Sequence, residues 1–163
     1  MDILNEKLDA SSLDPKHRFA FGGTPRRRLF RGSERLLRFV SLPQPTFEGN
    51  ELFKSPWWYP QDTFDTIVRR SNRTGKSIVD VARSGLAVTK QWNPTMESLA
   101  IIELKRPMYG LVGPARHQPL SAGDRSTLLI GNLEQAYVPG LAAGGDGVSS
   151  PYAFIYAYVD MTV

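Results

Sequence analysis

The chain has 163 residues, a formal net charge of +4, 41% hydrophobic residues and no cysteine. This length suits one domain with a sizeable core, and the hydrophobic content excludes wholesale disorder. The lack of cysteine excludes a disulfide framework, a thiol nucleophile and a thiolate metal site. His17 and His117 are too few and too scattered for a zinc site, so we predict no metal.

No apolar run approaches the roughly 18 residues of a membrane span. The stretch after Met1 lacks the pattern of a cleaved signal peptide. We therefore predict no membrane association, and localisation stays open between the cytosol and secretion by a route without such a signal.

Positive charge is concentrated near the N-terminus, where basic residues alternate with aromatic ones. Such a band attracts polyanions, namely nucleic acid, an acidic protein or a phosphorylated cofactor, although it can also be a solvated face of an ordinary domain. The basic band comprises Lys16, Arg18, Arg26, Arg27, Arg28, Arg31, Arg35 and Arg38, and it is interleaved with Phe19, Phe21, Phe30 and Phe39.

The N-terminal stretch differs from the rest of the chain. Residues 1–22 are polar, with Ile3, Leu4 and Leu8 at helical spacing, and they are predicted to form a weak helix or an arm. Residues 23–163 are predicted to form one α+β domain of catalytic type.

Two helices are predicted in the middle of the chain, over residues 62–73 and 77–86. Asp62 suits the N-cap of the first helix, and Gly75 can end it. Ser77 opens a capping box at the start of the second helix.

Extended segments flank these helices, and the late ones follow one another without a crossover helix. This arrangement predicts an α+β fold with mostly antiparallel strands. A long loop is expected over residues 113–126 and a small flexible connector over residues 140–151. The predicted strands cover residues 28–31, 36–42, 98–104, 108–112 and 152–159.

A single carboxylate, Glu134, begins a short β-prone run that ends at Pro139-Gly140. Its position after a flexible lead-in is one where a catalytic acid can lie. The alternative is an exposed carboxylate at the end of an ordinary strand.

Three short motifs occur in a particular order: Leu29-Phe30-Arg31-Gly32, then Ser55-Pro56-Trp57-Trp58-Tyr59-Pro60 leading into a helix, then Asn132-Leu133-Glu134. This order resembles the ADP-ribosyltransferase fold, in the Arg-Ser-Glu branch that includes the cholera- and pertussis-like toxins. The resemblance extends over residues 27–160. It implies a split β-sandwich of two mostly antiparallel sheets with flanking helices and an NAD-binding cleft.

The resemblance also implies roles for individual residues. Arg31 would bind the phosphates of NAD, which suits a guanidinium, and Gly32 would let the backbone approach the ligand. Ser55 would hold the active-site strand, and Glu134 would be the catalytic carboxylate. A rival alignment places Trp58-Tyr59-Pro60 on the Ser-bearing element, with Tyr59 near the polar position.

Three adjacent aromatic residues, Trp57, Trp58 and Tyr59, cannot all face one side of a strand. They are candidates for stacking on NAD, while core packing is the alternative for one or two of them. Asn132 stands where the Arg-modifying members of the family commonly have Glu or Gln, so we assign it to acceptor recognition. This difference favours an acceptor other than Arg, or water.

The predicted activity is therefore NAD-dependent ADP-ribosyl transfer, of a toxin or effector type, to a protein or nucleic-acid acceptor. The alternatives are an NAD glycohydrolase of the same fold, a small basic ribonuclease that uses His17, His117 and Glu134, and a nucleic-acid-binding domain that stacks bases on Trp57 and Trp58.

Overall fold

The computed structural model describes residues 3–40, 52–90, 92–142 and 150–161. A short 3-10 helix over Ala10–Ser12 precedes the helices α1 (Pro15–Phe19), α2 (Gln61–Thr74) and α3 (Ile78–Gly85). The strands are β1 (Arg26–Phe30), β2 (Arg35–Val40), β3 (Trp57–Pro60), β4 (Ser98–Leu104), β5 (Met108–Pro114), β6 (Gln118–Ser121), β7 (Asp124–Leu129), β8 (Glu134–Tyr137) and β9 (Ala153–Asp160).

Seven of these strands form one sheet in the order β1-β5-β8-β3-β2-β4-β9, and β6 and β7 form a separate hairpin. Every pairing between these strands is antiparallel. The predicted α+β class with mostly antiparallel sheets is therefore confirmed.

One face of the large sheet forms the main apolar core. Buried side chains from all seven strands meet there, whereas none of the described helices contributes one. The two halves of the sheet therefore cover one another, and we call this side the inner face. Its buried residues include Phe30, Leu36, Trp58, Ile102, Met108, Val112, Ala136 and Ala153.

The outer face is covered by other parts of the chain. Ile67 of α2 and Val81 of α3 pack with Leu37 and Tyr59, which lie on the outer side of β2 and β3. Near the N-terminus, Phe21 is fully buried in a cluster over the outer side of β5. Helices α2 and α3 thus cover one half of the outer face, and the N-terminal stretch covers the other half.

Both predicted helices are confirmed, with one correction at a helix end. Gly75 ends α2 in the left-handed conformation at φ 76°, and the Ser77 hydroxyl accepts a hydrogen bond from the backbone N–H of Asp80. The N-cap prediction for Asp62 is wrong, because α2 begins one residue earlier, after Pro60. Asp62 lies inside the first turn, where its negative charge still favours the helix dipole.

The long loop predicted over residues 113–126 is also wrong. That stretch contains the end of β5, all of β6 and the start of β7, and the β6–β7 hairpin turns near Gly123. Its strands were missed because they carry mostly polar side chains that are exposed or only half-buried, so hydrophobic alternation is absent.

The described part of the N-terminal stretch lies against the sheet. Leu4 forms a β-bridge with Met108, and the Asn5 side-chain amide donates to the carbonyls of Tyr109 and Pro139. The predictions for residues 41–42 and 143–149 lie outside the described residues. Within the described ranges, no helix is long and apolar enough to cross a membrane.

Candidate active site

Glu134 is the first residue of β8, and its strand partner on β5 is Pro114. Its side chain is 34% exposed and lines a cleft of about 380 Å³ between α2 and the start of β8. We call this the Glu134 cleft. The other lining residues come mainly from one side of α2: Asp62, Thr63, Asp65, Thr66 and Arg69, together with Leu133.

The segment before Glu134 is fixed by backbone hydrogen bonds. The end of α3 accepts hydrogen bonds from Gly131 at 2.8 Å and from Leu133 at 2.9 Å, and the carbonyl of Ala115 accepts one from Asn132 at 3.0 Å. Gly131 and Asn132 both have a φ of 75°, in the left-handed region. Two consecutive left-handed residues turn the chain sharply, so Glu134 follows a pinned turn.

Packing from the two helices completes this support. Thr63 of α2 is buried, and its hydroxyl donates to the backbone carbonyl of Glu134 at 2.9 Å. Gly85 lies so close to Leu133 that a Cβ there would come within 2.3 Å of the Leu133 side chain. The helices therefore fix the position of the Glu134 backbone.

Arg26 is the cation beside Glu134. Its Nη1 lies 2.6 Å from Glu134 Oε1, and its own side chain is 60% exposed. The hydrogen bond to Glu134 is the main cause that raises the pKa of Arg26. At this exposure an ion pair contributes less than about 1 kcal/mol to stability, so little opposes the exchange of either partner for a ligand.

Arg28 extends the same charged rim. Arg26 and Arg28 are two residues apart on β1, so their side chains face the same side of the sheet. Arg28 lies 3.0 Å from Glu34 and 3.7 Å from Asp62. Two guanidinium groups and three carboxylates thus form a row on the inner side of β1, from Glu134 at one end to Glu34, next to the Arg31 backbone, at the other. We call these five residues the charged rim.

Arg31 and Gly32, both predicted to contact NAD, lie elsewhere. Arg31 is exposed in the turn after β1, and its backbone N–H donates to the Glu34 carboxylate. The three atoms nearest to a Cβ on Gly32 would be backbone atoms of Lys105 and Arg106, at 3.6 to 3.7 Å.

Strand register explains why Arg31 and Glu134 lie apart. On β5, Met108 pairs with Phe30, whereas Pro114 pairs with Glu134. Arg31 follows Phe30, so it lies about seven residues, or about 23 Å, along the sheet from Glu134. Because β1 runs antiparallel to β5, the N-terminal end of β1 reaches Glu134, and that end carries Arg26.

The aromatic triplet on β3 is used for packing. Trp58 is 2% exposed in the inner core, Tyr59 is 4% exposed beneath α2 and α3, and Trp57 is half-buried on the outer face. None of the three lines the Glu134 cleft as the described residues define it. Their contacts therefore agree with core packing, the alternative to stacking on NAD.

Ser55 and Asn132 have different relations to Glu134. Trp57 pairs with Tyr137, so Ser55, two residues before Trp57, lies about five residues, or about 17 Å, along the sheet from Glu134. Asn132 is exposed two residues before Glu134, at the approach to the cleft. Of the other predicted site residues, Asn132 is the one near Glu134; this nearness follows from the sequence, and its side chain does not line the cleft.

Arg38 was assigned only to the basic band, yet it is a half-buried residue on the inner face of the sheet. It donates to the carbonyls of Ser55 at 3.3 Å, Trp57 at 3.0 Å and Leu52, and its guanidinium stacks 4.0 Å from the centre of the Trp58 ring. Burial lowers the pKa of Arg38 to about 10. Arg38 holds the segment that leads into β3. Side chains two residues apart on a strand face the same side, so the apolar Leu36 was the signal in the sequence that Arg38 also faces the core.

The two histidines do not join Glu134. The His17 ring packs 5.9 Å from Trp57 and 5.1 Å from Tyr137, measured between ring centres, and Tyr137 points to the face of β8 opposite Glu134. His117 is exposed after β5. Among the residues described, no group of three potential metal ligands occurs.

No protein-family model and no curated protein matches this sequence. A solved structure described as Rhs1-CT in complex with cognate immunity protein RhsI1 has a similar fold, with a TM-score of 0.51 over 85% of this chain and 83% of that chain. The two sequences are 8% identical, so the likeness concerns the fold alone.

Proposed function

We propose that this chain is an NAD-dependent ADP-ribosyltransferase of a toxin or effector type. The observation that carries the proposal is that Glu134, at the start of β8 in an accessible cleft, lies 2.6 Å from Arg26 of β1 and on the strand next to β3, which leads into α2. The resemblance to ADP-ribosyltransferases implies the same elements: an early strand, a strand that leads into a helix, and a late strand that carries the glutamate.

The fold neighbour supports the biological class. That protein is bound by a cognate immunity protein. A protein that requires an immunity partner is harmful to the cell that makes it, so a toxin-like role is a reasonable extension to a chain of the same fold. We extend the partner as well, and expect a dedicated inhibitory protein to bind this chain.

In the proposed reaction, the bond between nicotinamide and the anomeric carbon breaks, and its electron pair goes to the pyridinium nitrogen. Nicotinamide leaves as a neutral molecule, so no general acid is required. Positive charge develops on the ribose, as in glycosidase transition states, and Glu134 stabilises it. An acceptor hydroxyl or amine then attacks the anomeric carbon and loses its proton to solvent.

Arg26 replaces Arg31 as the phosphate-binding residue in this proposal. It lies beside Glu134, is mostly exposed, and has further N–H groups besides the one that contacts Glu134. A guanidinium suits the two phosphates of NAD because it can bind two oxygens at once. The carboxylate would then lie at the ribose and the guanidinium at the adjoining diphosphate.

The decisive experiment compares Glu134→Gln with Glu103→Gln. Glu103 is a suitable control because it is also a half-buried strand glutamate paired with an arginine, Arg35, at 3.3 Å. We expect Glu134→Gln to reduce nicotinamide release by about 100-fold or more, because the amide cannot neutralise the developing cation. The control should release nicotinamide at the wild-type rate.

NAD binding, measured by calorimetry, should change little in either variant, since only transition-state stabilisation is removed. Equal nicotinamide release by Glu134→Gln and wild type would overturn the assignment. With NAD labelled in the ADP-ribose moiety, label on a macromolecule indicates transfer, whereas label only in free ADP-ribose indicates the glycohydrolase.

A further inference from the structure

A second cavity lies at the same end of the sheet as Glu134. Its volume is about 460 Å³, and its lining includes Arg18, Arg116, Ser11 and the turn over residues 23–25 that leads into β1. None of these residues belongs to the charged rim or to the Glu134 cleft. We call it the arginine pocket.

Within the described part of the chain, neither guanidinium group of the pocket has an acidic partner. Arg18 donates to the carbonyl of Leu13 at 3.2 Å, and Arg116 donates through Nε to the carbonyl of Phe19 at 2.6 Å. No carboxylate of the described residues lies within ion-pair distance of either one. Asp9, close by in sequence, accepts hydrogen bonds from neighbouring serine hydroxyls instead. Two uncompensated cations at one cavity favour an anionic ligand.

The rim of the pocket also presents an exposed aromatic ring. Phe19 is 67% exposed, and the Arg116 guanidinium lies 4.5 Å from the centre of its ring. Its exposed ring offers an aromatic surface on which a flat ligand group can stack. An aromatic ring beside arginines is the combination that binds single-stranded nucleic acid, with bases on the ring and phosphates on the cations.

The pocket is tied to the strand end that carries Glu134. The carbonyl of Ala20 accepts hydrogen bonds from the Arg116 backbone at 3.0 Å and from the Gln135 side chain at 2.9 Å. Arg116 lies two residues beyond Pro114, the strand partner of Glu134. Along a strand, that is about 7 Å. Gln135 and Glu134 alternate on β8, so the pocket lies on the outer side of the sheet, and a strand bound there reaches Glu134 around the end of β8.

We propose that the arginine pocket binds a phosphate of single-stranded nucleic acid and that this strand is the acceptor for ADP-ribose at Glu134. The acceptor role rests on the proposed function, whereas the binding site stands on the pocket and on Phe19. An acidic peptide would use the two arginines but gain little from an exposed ring, so the geometry favours a nucleotide chain.

The test measures binding of a fluorescent 12-nucleotide single strand, as RNA and as DNA, to the full chain by anisotropy. We expect affinity to fall steeply as salt is raised. Arg18→Gln and Phe19→Ala should each weaken binding by about tenfold. Arg73→Gln, an exposed arginine in the last turn of α2, is the matched control and should bind as wild type does.

Arg18→Gln also removes the hydrogen bond to the Leu13 carbonyl, whereas Phe19→Ala removes no side-chain hydrogen bond. Thermal melts of the same samples therefore separate a loss of folding from a loss of binding. Wild-type affinity in both Arg18→Gln and Phe19→Ala would overturn the binding site. Equal affinity for a 12-residue polyglutamate would overturn the nucleic-acid assignment.

The acceptor role has its own readout. With labelled NAD, we expect label on the bound strand for wild type and its loss for Arg18→Gln, while nicotinamide release into water continues in that variant. NAD cleavage by wild type without label on the strand would overturn the acceptor role alone. Strand binding without NAD cleavage would overturn the proposed function and leave the binding site in place.

Discussion

Arg26 Nη1 and Glu134 Oε1 lie 2.6 Å apart, and their strands, β1 and β8, are separated by β5. The contact crosses one intervening strand on the inner side of the sheet. Because the Arg26 side chain is mostly exposed, the fold gains little from the pair. Under the proposed function, either partner of this weakly stabilising pair can exchange the other for a ligand.

Arg26→Gln should weaken NAD binding by about tenfold, since one charge-assisted phosphate contact contributes roughly 1.5 kcal/mol. Arg31→Gln is the paired control, because Arg31 is exposed at the far end of β1 and should leave affinity unchanged. Calorimetric titration with NAD measures both. A larger effect at Arg31 than at Arg26 would return the phosphate-binding role to Arg31.

Gly131→Ala should destabilise the fold by about 3 kcal/mol, because a Cβ at φ 75° would come within 2.4 Å of the Ala115 carbonyl oxygen. Gly75→Ala separates strain from crowding: its φ is 76°, but nothing lies within 4 Å of the added Cβ. Its cost should be only about 1 kcal/mol. Denaturant unfolding measures the loss of unfolding free energy in each variant. Equal losses would show that the backbone around Gly131 shifts to accommodate the added Cβ.

Arg38→Met should cost about 3 kcal/mol, because three half-buried backbone carbonyls near β3 lose their charged donor. Arg38→Lys should recover little, since an ammonium cannot reproduce the planar fork. Arg35→Met provides the comparison: that side chain is 37% exposed, and its ion pair with Glu103 contributes less than about 1 kcal/mol. Chemical denaturation of the three variants tests this ranking, which a neutral Arg38→Met would contradict.

Tyr59→Phe should reduce the loss of stability at alkaline pH. Burial raises the pKa of Tyr59 well above its ordinary value. As pH rises past about 10, the unfolded chain releases the phenol proton while the folded chain keeps it, so stability falls. The lowered pKa of Arg38 acts in the opposite direction, but it is common to both proteins and cancels in the comparison.

At neutral pH the same variant should gain about 1 kcal/mol, because no described residue hydrogen-bonds the buried Tyr59 hydroxyl. Unfolding free energies at about pH 7 and about pH 10.5 test both parts. An alkaline loss as large in Tyr59→Phe as in wild type would show that another group governs it.

Local signals in the sequence determined the helices and several strands. Gly75 and Ser77 mark helix ends through their own backbone preferences, and β4 occupies Ser98–Leu104, as its apolar run predicts. Glu134 was correctly expected on a late strand for the same reason. The polar β6–β7 hairpin carried no such signal.

Only the tertiary structure decided which cation lies beside Glu134. Arg26 and Arg31 are five residues apart in one basic band, and nothing local distinguishes them. The antiparallel register of β1 on β5 places one at the cleft and the other about 23 Å away along the sheet. Register depends on contacts between residues far apart in the chain, so composition and spacing could indicate a basic band but could not identify the arginine beside the glutamate.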